Sequence, residues 1–81
     1  MFGVKSIRIN GRRDYHWYKG QAFEDQASRK FVVEKIWYRD FDVFGYGISE
    51  IINEEKQKPV WIRLETFNTQ VREGKYKPIK L

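Results

Sequence analysis

The chain contains no cysteine, so neither a disulfide framework nor a thiolate zinc site can hold it together. It also lacks any run approaching the roughly 20 apolar residues that a membrane span needs, and residues 1–10 lack the apolar segment of a secretion signal. These absences predict a cytoplasmic protein, without membrane association, whose fold depends on packing alone.

Groups that could perform chemistry are equally scarce. His16 is the only histidine, and no serine or cysteine nucleophile lies near it in the sequence. Asp40 and Asp42 could approach a hard cation, but such a site needs about six oxygen ligands, and the neighbouring residues do not supply them. We therefore expect a protein that is not an enzyme and that has no metal site and no cofactor.

The length of 81 residues predicts one domain over 1–81, which buries only about 60% of the surface of its unfolded chain. A deep enclosed cavity is not expected in so small a core. With 41% hydrophobic and 17% aromatic residues, the chain is still far from the composition of disordered proteins. Exposed strand edges make either a monomer or a homodimer compatible with the sequence.

Charge is unevenly distributed along the chain, whose net charge is +5. Residues 1–20 carry five basic side chains and one acidic one, and residues 59–81 carry five and two. Residues 31–53 instead carry two basic and four acidic side chains. If the two ends become neighbours in one sheet, their basic residues could form a single patch.

Alternating and β-rich segments predict a meander of strands. Residues 4–9 alternate in polarity before Asn10-Gly11, which indicates a two-residue hairpin. Residues 29–40 form a long strand that is apolar on both faces, and residues 43–53 return after the turn at 40–42. In the returning strand, Phe44 and Tyr46 should share one face, opposite the glycines at 45 and 47.

The remaining segments complete an all-β fold. Residues 21–28 have no clear period and are interpreted as a loop or a single helical turn. Helical spacing of Leu64, Phe67 and Val71 predicts a short turn of helix before a last edge strand within 75–81. Five or six short antiparallel strands with one helical turn predict a small SH3-like or OB-like barrel.

Two groups of residues could form a binding surface. Cationic and aromatic residues alternate at positions 12–19, as on surfaces that bind single-stranded nucleic acid, although half of such aromatics would face the core. The predicted nucleic-acid-binding residues are Arg8, Arg12, Arg13, Tyr15, Trp17, Lys19, Lys75 and Lys77. The alternative is a protein-interaction surface at the 40–42 turn, formed by Trp37, Tyr38, Phe41 and Tyr46.

Several short motifs resemble small uncharacterised SH3-like barrel domains of bacteria and phages. The motifs are Tyr18-Lys19-Gly20, an aromatic at Phe23, the strand Phe31-Val32-Val33 and the late segment Val60-Trp61-Ile62-Arg63-Leu64-Glu65-Thr66-Phe67. The chain departs from that pattern in Gly45 and Gly47 and in the Asn10-Gly11 hairpin. The resemblance implies an SH3-like barrel without an assigned activity, and by analogy a phage inhibitor that docks on a host protein or sequesters a small nucleotide.

Overall fold

The computed structural model describes the backbone of residues 4–9 and 12–81, with side chains from Trp17 onward. Eight strands and one helix follow one another within these described residues. They are β1 (Val4–Ile9), β2 (Arg12–Trp17), β3 (Ala22–Asp25), β4 (Lys30–Arg39), β5 (Asp42–Ile52), β6 (Glu55–Lys56), β7 (Val60–Arg63), α1 (Leu64–Arg72) and β8 (Tyr76–Ile79). The all-β fold class predicted from the sequence is confirmed, with more strands than expected.

The strands form two antiparallel sheets rather than one. The hairpin β1–β2 is a two-stranded sheet, and the other six strands form a sheet in the order β6-β5-β4-β3-β8, with β7 also paired to β5. Hydrogen bonds between the described strands do not close this sheet, so it is not a closed barrel. The first hairpin and β8 lie in different sheets, so the two basic ends of the chain do not become neighbours in one sheet.

Two-residue turns connect several antiparallel neighbours. Ile9 pairs with Arg12, which confirms the two-residue hairpin, although the conformation of residues 10 and 11 lies outside the described residues. Arg39 pairs with Asp42, and the intervening Asp40 and Phe41 have φ values of 50° and 71°. Positive φ at both central positions is the I′ turn that matches the twist of paired strands.

The segment 21–28 differs from its prediction as a loop or helical turn. Residues 22–25 form β3, which pairs with β4 on one side and with β8 on the other. Its sequence lacks clear alternation because Ala22 and Phe23 are both buried, one on each face of the sheet. Pairing on both sides, rather than local propensity, therefore makes this segment a strand.

Helix α1 confirms the helical turn predicted before the last strand. Leu64 and Phe67 are buried on its inner face. After the helix ends, Gly74 adopts a φ of 81°. The Gly74 N–H donates to the Val71 carbonyl at 3.0 Å, and the Lys75 N–H donates to the Gln70 carbonyl at 2.9 Å. These two bonds form a Schellman motif, which satisfies the last carbonyls of the helix and turns the chain into β8.

Aromatic rings dominate the core between the large sheet and α1. Phe67 lies at its centre, with ring centroids 4.9 Å from Phe23, 5.7 Å from Tyr46 and 5.3 Å from Tyr76. Trp17, the last residue of β2, packs against Phe23 at 4.9 Å. The indole N–H of Trp17 donates to Asn68 Oδ1 on α1 at 2.8 Å, so the first hairpin is anchored to the helix through its final residue.

Candidate binding surface

The outer face of the large sheet, opposite the core, carries a cluster of aromatic and cationic side chains from three strands. Its members are Trp37 and Arg39 from β4, Phe44 from β5, and Trp61 and Arg63 from β7. We call this set the aromatic face. Trp37 lies at its centre, with its ring 4.8 Å from Phe44 and 5.5 Å from Trp61.

The register of β5 explains how side chains from its two neighbours meet. Gly45 is paired with both Trp37 and Arg63, and Gly47 is paired with both Lys35 and Trp61. Paired residues on neighbouring strands lie on the same face of a sheet. Across β4, β5 and β7, each glycine is therefore flanked by a large side chain on either side. The glycines therefore leave room above β5 in which the two tryptophan rings meet.

A β-bulge brings Phe44 to this face. Trp37 pairs with Gly45 whereas Tyr38 pairs with Val43, so Phe44 has no partner on β4. The extra residue breaks the alternation that would have placed Phe44 on the core face with Tyr46. The predicted common face of Phe44 and Tyr46 is thus wrong, and the ring of Phe44 contacts Trp37 instead.

Two arginines flank the rings. The guanidinium carbons of Arg39 and Arg63 lie 5.4 Å and 5.3 Å from the centroid of the Phe44 ring, which is the distance of a cation–π contact. Within the part of the chain that the structure describes, neither guanidinium has a carboxylate within ion-pair distance. Lys35, also exposed, borders the same face, so its cations remain available to an anionic ligand.

The tryptophans of the aromatic face are unusually accessible. Trp37 is 45% exposed and Trp61 is 51% exposed, although each contacts another ring. Neither indole N–H has a hydrogen-bond acceptor among the described residues. Large exposed aromatic surface beside unpaired cations indicates a binding surface.

The sequence-predicted nucleic-acid residues lie in other places. Arg8, Arg12, Arg13 and Tyr15 belong to β1 and β2, where Arg8 pairs with Arg13, and their side chains lie outside the described residues. Trp17 is only 5% exposed, because it packs in the core and bonds Asn68. A stacking role for Trp17 is therefore wrong, since its ring could reach a base only by leaving the core.

The predicted lysines are all exposed, and none of them lies on a strand that contributes to the aromatic face. Lys19 follows the first hairpin, and Lys77 lies in β8, paired with Glu24 at the opposite edge from β7. Lys75 lies 3.6 Å from Glu73, measured from Nζ to Oε1. Neither Lys75 nor Lys77 adjoins the aromatic face.

The alternative set of aromatic residues does not form one surface either. Tyr46 is fully buried, and its hydroxyl accepts the Trp17 backbone N–H at 3.0 Å, so its assignment to an exposed surface is wrong. Tyr38 pairs with the core residue Val43 and is therefore on the opposite face from Trp37. Phe41 is fully exposed at the tip of the β4–β5 turn.

Sequence reasoning missed Phe44, Trp61, Arg39 and Arg63 as site residues. The pattern Trp61-Ile62-Arg63 predicts a strand with two outward residues, and the glycines at 45 and 47 indicate a close approach of other groups. Neither pattern predicts that β7 pairs with β5. Only that pairing brings Trp61 and Arg63 next to Gly45 and Gly47.

Comparison with known protein families, curated proteins and solved structures finds no match for this chain. The resemblance to SH3-like domains of bacteria and phages therefore stays a prediction. No cluster of three metal-ligating side chains occurs among the described residues. The described helix is too short to cross a bilayer.

Proposed function

We propose that this protein binds single-stranded nucleic acid through the aromatic face. The observation that carries the proposal is the pair of half-exposed tryptophans, with three exposed cations beside them, on one open sheet face. Aromatic side chains stack on unpaired bases while lysine and arginine follow the phosphates. Single strands are favoured over duplexes because base faces inside a duplex are already stacked.

Each part of the aromatic face has a distinct role in this proposal. Trp37 and Trp61 each offer a ring surface to one base, and Phe44 supports them from within the cluster. Arg39 and Arg63 are held against Phe44, which orders their guanidinium groups and lowers the entropy lost on binding phosphate. The net charge of +5 favours encounter with a polyanion.

The test is a fluorescence-anisotropy titration of labelled oligothymidine and oligouridine, with a duplex of equal length, at low and physiological salt. We expect tighter binding of the single strands, with an affinity that falls as salt rises. Trp61→Ala should weaken binding about 5- to 150-fold, because a base stacked on an aromatic ring contributes about 1–3 kcal/mol. Arg63→Gln should weaken it and reduce the salt slope by about one.

Two exposed residues away from the aromatic face supply matched controls. Phe41→Ala removes a fully exposed ring at the turn, and Lys77→Gln removes a cation at the far edge of the sheet. Both variants should bind as the unchanged protein does. A loss for Lys77→Gln and for an Arg12→Ala/Arg13→Ala double variant, with none for Trp61→Ala, would move the binding surface to the basic ends.

Absence of binding at low salt would overturn the nucleic-acid proposal altogether. The aromatic face would then be assigned to a protein partner, the alternative that the ring-rich segment predicted.

A further inference from the structure

The core face of the large sheet carries an open cleft that the proposed function does not use. The cleft has a volume of about 410 Å³, which is within the range of small-molecule sites. It exists because the sheet does not close: β7 and β8 remain unpaired with each other, and side chains between them stay partly accessible. Its lining residues include Phe31, Ile48, Glu50, Lys58, Ile62 and Tyr76.

The walls of this cleft suit a flat apolar group. The rings of Phe31 and Tyr76 pack edge to face with centroids 5.5 Å apart, and the centroids of Tyr76 and Phe67 are 5.3 Å apart. These three rings form one wall of the cleft. Ile48 and Ile62 lie on the neighbouring strands β5 and β7. An aromatic ring entering between these walls would gain both apolar burial and ring-edge contacts.

The guanidinium of Arg29, which lies over the Phe31 ring, already forms an ion pair with Asp25. Arg29 Nε lies 2.8 Å from Asp25 Oδ2, and the guanidinium carbon lies 5.9 Å from the Phe31 centroid. The side-chain hydrogen bond with Asp25, followed by the charges of Asp25 and Glu50, raises the pKa of Arg29. Desolvation opposes ionisation of Asp25, but hydrogen bonds from Arg29 and from the Ala27 N–H outweigh it and lower the pKa of that carboxyl.

Two opposite charges at the cleft remain without an ion-pair partner among the described residues, on Glu50 and Lys58. They approach the cleft from the same end, because the Gln57 N–H donates to the Glu50 carbonyl at 2.8 Å and Lys58 follows directly. A carboxylate and an ammonium that form no direct ion pair, beside an aromatic wall, are complementary to a zwitterion with an aromatic substituent.

We infer that the cleft binds a free aromatic amino acid, with its carboxylate on Lys58, its ammonium on Glu50 and its ring against Phe31 and Tyr76. This site lies on the opposite face of the sheet from Trp37 and Trp61 and does not depend on nucleic-acid binding.

The test is an NMR titration of the full ¹⁵N-labelled chain with L-phenylalanine, followed by two analogues that each lack one charge. N-acetyl-L-phenylalanine removes the ammonium, and L-phenylalaninamide removes the carboxylate. We expect shifts of the amide signals of Phe31, Lys58 and Ile62, and affinities for both analogues that are about tenfold lower or more.

Two variants at exposed or half-buried positions assign the charges. Lys58→Gln should bind phenylalanine about tenfold more weakly and no longer distinguish it from the amide, and Glu50→Gln should lose its preference over the N-acetyl analogue in the same way. Trp61→Ala, which alters the other face, should bind phenylalanine normally. Unperturbed amide spectra at the solubility limit of phenylalanine, or equal affinity for all three compounds, would overturn the inference.

Discussion

At the scale of single residues, Gly45 leaves less room for an added side chain than Gly47 does. A Cβ on Gly45 would lie 2.6 Å from the carbonyl oxygen of Ile62 on β7, a backbone atom that cannot move without shifting the strand. A Cβ on Gly47 would lie 3.3 Å from the Cβ atoms of Lys35 and Pro59, which are side-chain atoms. The two glycines thus differ in how much an added methyl group would disturb.

Gly45→Ala should therefore destabilise the fold by about 1–3 kcal/mol, the usual cost of overpacking. Gly47→Ala should change stability by less than about 1 kcal/mol, because a displacement of a few tenths of an ångström relieves the contact and alanine reduces the entropy of the unfolded chain. Urea unfolding of both variants measures the difference. Equal midpoints for the two variants would contradict the close β5–β7 approach.

At the scale of elements, the first hairpin is attached to the rest of the molecule through Trp17. Its backbone N–H donates to the hydroxyl of Tyr46 on β5, and its indole N–H donates to Asn68 on α1. Two strands alone are marginally stable in water, so the hairpin depends on this attachment.

Tyr46→Phe removes the acceptor of the Trp17 N–H and keeps the ring in the core. It should destabilise the protein by about 1–3 kcal/mol, because the buried N–H of Trp17 loses this acceptor. Hydrogen exchange of the Trp17 amide should accelerate as well. The half-buried Tyr76 provides a control: Tyr76→Phe should cost less, since its hydroxyl has no bond within the described part of the chain. Equal costs would argue against the Trp17 bond.

Local sequence patterns correctly predict those elements that depend only on local backbone geometry. The hairpin at Asn10-Gly11 and the helix from Leu64 are both found where turn chemistry and helical spacing predict them. β3 and the bulge at Phe44 are missed, because each depends on which strand lies alongside.

At the scale of the whole molecule, one small aromatic core supports two different sheet faces. Phe67 contacts rings from β3, β5 and β8, so it joins the helix to both halves of the sheet. A domain of this length is stabilised by only about 4–12 kcal/mol in total. Removal of one central ring should therefore lower the free energy of unfolding by a large fraction.

Phe67→Ala should lower the free energy of unfolding by about 3–5 kcal/mol, as expected for deletion of a buried phenylalanine. Phe41→Ala removes the same side chain from a fully exposed position and should change stability by less than about 0.5 kcal/mol. Urea unfolding followed by circular dichroism measures both. A large loss for Phe41→Ala would show that the turn ring packs against the molecule.

The sequence by itself determined the all-β class, the helix before the last strand and the absence of thiol chemistry, because composition and local periodicity decide these. Only the tertiary structure decided which aromatic residues are exposed. Trp17 and Tyr46 are buried whereas Trp37 and Trp61 are half exposed, and all four belong to similar strand segments. The physical reason is that exposure depends on strand pairing and bulges, which join residues distant in sequence.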